Sequence, residues 1–124
     1  MIISSWNINS VRIRTENIEK YINKINPDIL MFQEIKCEDD KFPYEFFENK
    51  KNNCYVYGQK SYNGVAIISK KKLANIDKSF KDPNNQSRFL SADININGKI
   101  IKLICIYLPN GNPTNTDKYP YKLK

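Results

Sequence analysis

Histidine does not occur anywhere in the 124 residues. Without imidazole, no scheme that needs it as base, acid or metal ligand can be built from this chain alone. The three cysteines, Cys37, Cys54 and Cys105, are an odd number with no C-x-x-C pair. They make neither a disulfide framework nor a zinc site. The longest apolar-dominated run, Leu103 to Leu108, is far short of the ~18–20 residues that cross a bilayer. The start, Met-Ile-Ile-Ser-Ser-Trp, lacks the basic and long apolar regions of a signal peptide. Together these absences read as a reduced, soluble, cytoplasmic chain with no membrane partner.

What is present is unevenly placed. The formal net charge is +7, and all of it lies in the second half: residues 1–62 carry nine basic and nine acidic side chains, residues 63–124 eleven and four. A one-sided positive field favours polyanions, nucleic acid first. Solubility and a Lys-rich coding bias explain the same excess equally well. At this length the chain is one small domain or a piece of a larger one.

Ile2 to Trp6 reads as a short strand. Ile18, Tyr21, Ile22 and Ile25 recur at helical spacing, with Thr15 as N-cap and Asn26-Pro27 as the stop. Asp28 to Phe32 then reads as a buried strand. The expected unit is βαβ, with a right-handed crossover. Parallel strands bring their carboxyl ends to one edge, so Asn7 and Glu34 should emerge side by side, where ligands of open α/β sheets bind. A short aromatic helix is expected from Pro43 to Phe47. Strands are expected at Cys54–Tyr57 and Val65–Ile68, joined by a glycine-bounded polar loop. Leu90 to Ile96 alternates as a half-buried strand. Asn97-Gly98 is a hairpin turn, and the apolar return strand from Lys99 to Tyr107 is expected to be central in its sheet.

Functional side chains gather at four strand ends: Asn7/Asn9, Glu34/Lys36, Tyr62/Asn63 and Tyr107/Asn110. A carboxylate with neighbouring amides suits an octahedral Mg²⁺, and amides or phenols can hold phosphate oxygens. Taken singly, a Glu after a buried strand is more often solvated, an Asn there more often turn chemistry, and a Tyr in an apolar run more often core.

Their order and wording change that balance. Ser5-Trp6-Asn7-Ile8-Asn9-Ser10-Val11-Arg12, Phe32-Gln33-Glu34-Ile35-Lys36, Gly58-Gln59-Lys60-Ser61-Tyr62-Asn63-Gly64-Val65-Ala66-Ile67 and Ile106-Tyr107-Leu108-Pro109-Asn110-Gly111 closely resemble the amino-terminal half of the exodeoxyribonuclease III family. That family is the apurinic/apyrimidinic (AP) endonuclease branch of the endonuclease/exonuclease/phosphatase superfamily. The resemblance runs through essentially the whole chain. It implies an α/β (α+β) fold: half of a two-sheet β-sandwich flanked by helices, the DNase I-like fold. It also implies Mg²⁺- or Mn²⁺-dependent phosphodiester hydrolysis at abasic sites and 3′ ends of double-stranded DNA.

By the same resemblance Glu34 is the main metal-ligating carboxylate and Asn7 the amide beside metal and scissile phosphate. Tyr107 is the active-site tyrosine, and Arg12, Tyr62, Asn63, Arg88 and Asn110 face DNA. Lys36 and Asn9 support the acidic cluster. Arg88 is equally open to pairing with an acidic neighbour.

The family is roughly twice as long. Its Gly-Asp-x-Asn motif and terminal Ser-Asp-His are missing, and the zero histidine count is that absence seen in composition. Residues 1–124 are therefore expected to be the amino-terminal part of one domain, inactive alone, with one sheet face uncovered and a tendency to aggregate. A complementary carboxy-terminal fragment is the implied partner. A non-catalytic relic, a DNA-binding half-domain and one half of a split enzyme remain as alternatives.

Overall fold

The computed structural model describes residues 1–78 and 86–108. Among these are two sheets. Strands β1 (Ile3–Asn7), β2 (Ile29–Gln33), β3 (Asn53–Tyr57) and β4 (Val65–Ser69) form the first, in the order β1-β2-β4-β3. Strands β5 (Ala74–Asp77), β6 (Phe89–Ile96) and β7 (Lys99–Ile106) form the second, in sequence order. Helices α1 (Thr15–Ile25) and α2 (Tyr44–Glu48) complete the described elements, with two single 3₁₀ turns at Val11–Ile13 and Asp39–Lys41.

The expected βαβ unit is present: β1 and β2 are parallel, with Ile3 opposite Ile29 and Asn7 opposite Gln33. Helix α1 begins one residue earlier than its sequence signal. The carbonyl of Arg14 already accepts Ile18 N–H at 2.9 Å, which makes Arg14 the N-cap and puts Thr15 inside the first turn. At the other end Asn26 adopts a left-handed conformation (φ 51°) and its N–H donates to the Ile22 carbonyl, closing the helix before Pro27.

Strand alternation sorts side chains into two cores. Leu30, Phe32, Val56, Ala66 and Ile68 face the helices and bury against Ile18, Phe42 and Phe47. Ile29, Val65 and Ile67 face the second sheet and bury against Leu90, Ala92, Ile94, Leu103 and Cys105. Each such Ile, Leu or Phe stabilises the fold by about 1.5–3 kcal/mol on burial. The Cys105 thiol donates to the Phe32 carbonyl at 3.3 Å, bridging the sheets.

Two expectations are corrected. The first sheet's inner face is not bare, because this chain supplies a second sheet to cover most of it. Strand β7 is not central: it is an edge among the described residues, and its outward side chains Ile100, Ile104 and Ile106 are 63%, 51% and 42% exposed. Its apolar run covers an inner face through Leu103 and Cys105 and leaves an apolar outer one. Because β7 lies over β2 and β4, no described strand of the second sheet covers β1. Ile3, Ser5 and Asn7 are therefore exposed on the same side as the β7 edge. Strand β5 has no sequence signal, since its four residues are all exposed.

Candidate active site at the strand ends

The parallel register sends the chain out of β1 and β2 side by side. Beyond the strands the two segments stay joined: Ser10 N–H donates to the Glu34 carbonyl at 2.8 Å and Val11 N–H to the Ile35 carbonyl at 3.1 Å. The Asn7 amide then donates to the Glu34 carboxylate, Nδ2 to Oε2, at 2.5 Å. One turn outward, Lys36 Nζ donates to Asn9 Oδ1 at 2.6 Å. Both pairs span 27 positions of sequence.

Backbone strain concentrates here. Asn9, Ser10, Glu34, Lys36 and Asn63 all have positive φ, between 48° and 81°. Left-handed conformations disfavour L side chains by about 1–2 kcal/mol each and persist where the surroundings over-determine them. The surroundings are a second set of crossing bonds: Ile35 N–H to the Gly64 carbonyl at 3.1 Å and Lys36 N–H to the Asn63 carbonyl at 2.9 Å. Gly64 itself has φ 87°, and a Cβ there would lie 2.5 Å from Ile35 Cγ1.

The second sheet delivers Tyr107 and Arg88 to the same edge. Their segments continue the β6–β7 pairing, Tyr107 N–H donating to the Arg88 carbonyl at 2.9 Å. The Arg88 guanidinium lies 5.1 Å from the centre of the Tyr107 ring, and its Nε donates to Gln86 Oε1 at 2.6 Å. Burial pushes the Tyr107 phenol above its ordinary range. The nearby Glu34 carboxylate adds to the rise and Arg88 opposes it. Tyr107 is thus a neutral hydroxyl donor at neutral pH.

Glu34, Asn7 and Tyr107 come together as one cluster, with Lys36 and Asn9 beside it. Arg12 is exposed on the 3₁₀ turn that follows the Ser10 and Val11 bonds. Tyr62 projects from its loop, 69% exposed. Asn63 is buried and its amide donates to Gln59 Oε1 at 3.2 Å, so it braces the loop from within. Asn110 lies outside the described residues.

Sequence reasoning passed over Gln33, whose amide donates to Ser5 Oγ at 3.1 Å and to the Cys105 sulfur at 3.6 Å. It also passed over Gln59. Both stand inside the motifs that carry the resemblance, but nothing in the sequence shows which side chains and backbone groups they bond.

The basic excess does not all serve this edge. Strand β4 runs antiparallel to β2, which puts Lys70, Lys71 and Lys72 at the far end of the first sheet. Lys99 opens β7 at the end remote from Tyr107.

Among the described residues, no group of three or more Cys, Asp or Glu side chains comes together to hold a metal ion. The site's donors are all hard oxygens: one carboxylate and one amide carbonyl. That set fits a cation such as Mg²⁺, which takes one or two protein carboxylates and keeps several waters. No helix of the described residues is long and apolar enough to cross a membrane.

Residues 4–123 match the Endonuclease/Exonuclease/phosphatase family. Exodeoxyribonuclease III of Haemophilus influenzae is 36% identical over 123 residues, covering 97% of this chain and 46% of that protein. Among solved structures, an AP endonuclease from Archaeoglobus fulgidus superposes with a TM-score of 0.86 at 32% identity, over 99% of this chain and 47% of that one. A 3′ phosphatase from Neisseria, bound to product DNA hairpin, superposes with a TM-score of 0.83 at 32% identity, over 96% and 46%. The two-sheet architecture is therefore half of the DNase I-like fold, and the chain spans about half the length of the relatives it matches.

Proposed function

The chain belongs to the Endonuclease/Exonuclease/phosphatase family, and on that premise we propose that it is the amino-terminal part of a DNA-repair nuclease of the exodeoxyribonuclease III type. Its substrate is double-stranded DNA, cut at the phosphodiester beside an abasic site and trimmed at 3′ ends, in the cytoplasm. The observation that carries this reading is the convergence of Asn7, Glu34 and Tyr107 from three strands on one sheet edge.

Glu34 and Asn7 would hold Mg²⁺ (or Mn²⁺), which when bound neutralises charge on a non-bridging phosphate oxygen. The chain's own side chains do the remaining positioning. Glu34 is oriented by the Asn7 amide on one oxygen. Tyr107, kept protonated by its surroundings, offers a hydroxyl donor at the phosphate. Arg88 lies against the Tyr107 ring and presents cationic charge. Arg12, Tyr62, Arg88 and Asn110 meet the DNA backbone, while Asn63 shapes the loop that carries Tyr62. Lys36, tethered to Asn9, adds a positive charge at the mouth.

A group that aligns or deprotonates the attacking water is not among these residues. Losing such a group costs about 10²–10⁴ in rate. We assign it to the polypeptide corresponding to the other half of the relatives, whether it follows in the same chain or arrives as a separate one. The β1 and β7 edges, open on one side among the described residues, are where that remaining half would pack.

Mn²⁺ titration followed by NMR line broadening tests the metal assignment. Broadening should centre on Asn7, Glu34 and Tyr107 and disappear in Glu34→Gln. Broadening centred elsewhere, or unchanged in that variant, contradicts it.

A further inference from the structure

The Gln59 side chain joins the Tyr62 loop to the segment leading into Arg88. Its Oε1 accepts two bonds, from Ser87 N–H at 2.9 Å and from Asn63 Nδ2 at 3.2 Å. Its own N–H donates to the Cys37 carbonyl at 3.0 Å. Three segments distant in sequence therefore meet at one residue: the stretch after Glu34, the loop from Gly58 to Gly64, and residues 86–88. Two further bonds seal the junction, Ser87 Oγ to the Gly58 carbonyl at 2.9 Å and Gly64 N–H to the Ser87 carbonyl at 2.8 Å. Ser87 is buried, so water does not readily replace the acceptor that Gln59 gives its N–H.

The consequence reaches the surface on both sides. Tyr62 stands exposed one residue before Asn63, and Arg88 follows Ser87 directly and lies over Tyr107. We infer that Gln59 is a positioning residue that locks Tyr62 and Arg88 into one rigid DNA-facing unit, set at a fixed distance from Glu34. It touches no phosphate itself. The inference rests on the proposed DNA-binding role of this edge and adds to it a residue that sets its geometry.

The test uses the full chain labelled with ¹⁵N, together with Gln59→Met, which keeps the length and deletes the acceptor, and Gln59→Glu, which keeps an acceptor oxygen. In Gln59→Met the Ser87 amide should exchange at least about tenfold faster while Ile67 in the core stays protected, and Gln59→Glu should restore the slow rate. Affinity for a duplex carrying an abasic-site analogue should fall about fivefold in Gln59→Met, with the salt slope falling by about one unit as a phosphate contact is lost. Adding Arg88→Ala to Gln59→Met should cost nothing further.

Ser87 exchange unchanged in Gln59→Met would overturn the inference. So would loss of protection spreading to Ile67, or a binding loss that adds in full to that of Arg88→Ala. If Arg88→Ala and Tyr62→Ala alone leave binding unchanged, the DNA-facing reading fails instead, and the exchange data decide the positioning role by themselves.

Discussion

Asn7 and Glu34, 27 positions apart, are joined by a 2.5 Å hydrogen bond from the amide to the carboxylate. Nothing local makes that contact. It follows from a helix of three turns returning the chain parallel to its start, with Asn7 in register with Gln33. The bond orients the carboxylate before any ligand arrives, which is how a site reduces reorganisation during reaction.

The left-handed backbone around this pair yields a prediction about glycine. Gly64→Ala meets both a positive φ and Ile35 Cγ1 at 2.5 Å, whereas Gly98→Ala, at a similar φ of 86°, meets nothing within 4 Å. Gly98→Ala should therefore destabilise by about 1 kcal/mol and Gly64→Ala by about 2–4 kcal/mol. Urea denaturation of the two variants compares them directly. Equal losses would show that the contact with Ile35 carries no energy.

Much of this arrangement was legible in the residues, for identifiable reasons. Ile18, Tyr21, Ile22 and Ile25 have only one helical face to bury, and Asn97-Gly98 takes φ values of 53° and 86° that few other pairs tolerate. The edge shared by Asn7 and Glu34 follows from parallel pairing alone. Other parts depend on partners far away in sequence. β5 is a fully exposed strand, with no alternation to reveal it. β7 reads as central because it is apolar on both faces, yet only Leu103 and Cys105 are buried. Thr15 has the chemistry of a cap, but the Arg14 carbonyl was already committed to Ile18. The stacking of Arg88 on Tyr107 needs a cross-strand register that no single segment encodes.

Stability should fall at alkaline pH. Burial pushes the thiols of Cys37 and Cys105 up to about 11 and that of Cys54 up to about 12, from 9.0. Folded pKa values above unfolded ones mean that the stabilisation is complete below about pH 9 and is lost as pH rises from 9 through the folded values of about 11 and 12. The Cys105 thiolate would also lose its donation to the Phe32 carbonyl. The melting temperature, followed by circular dichroism, should be level from pH 7 to 8.5 and decline above pH 9. Cys105→Ala should flatten the decline in part. A melting temperature that rises above pH 9 would contradict this account.

The outer face of β7 and the β1 edge predict self-association. Ile100, Ile104 and Ile106 line one exposed row, and Ile3 lies on the neighbouring open margin. Contiguous apolar surface beside unpaired strand edges promotes association. Size-exclusion chromatography with light scattering should find the chain in dimers or larger species at micromolar concentration. Ile104→Lys combined with Ile106→Lys should shift it toward monomer. A sharp monomer peak from the unaltered chain would refute the prediction.

The central claim is that this chain holds one part of a phosphodiester-cleaving site and that the other part comes from the remaining half of the family fold. The most direct measurement is nicking of an abasic-site duplex with Mg²⁺, by the chain alone and after co-folding with the portion of Haemophilus influenzae exodeoxyribonuclease III that the chain does not match. The account predicts no nicking above background from the chain alone and Glu34-dependent nicking from the pair, abolished by Glu34→Gln. Robust Glu34-dependent nicking by the chain alone, or none from a pair that has folded together, would contradict it.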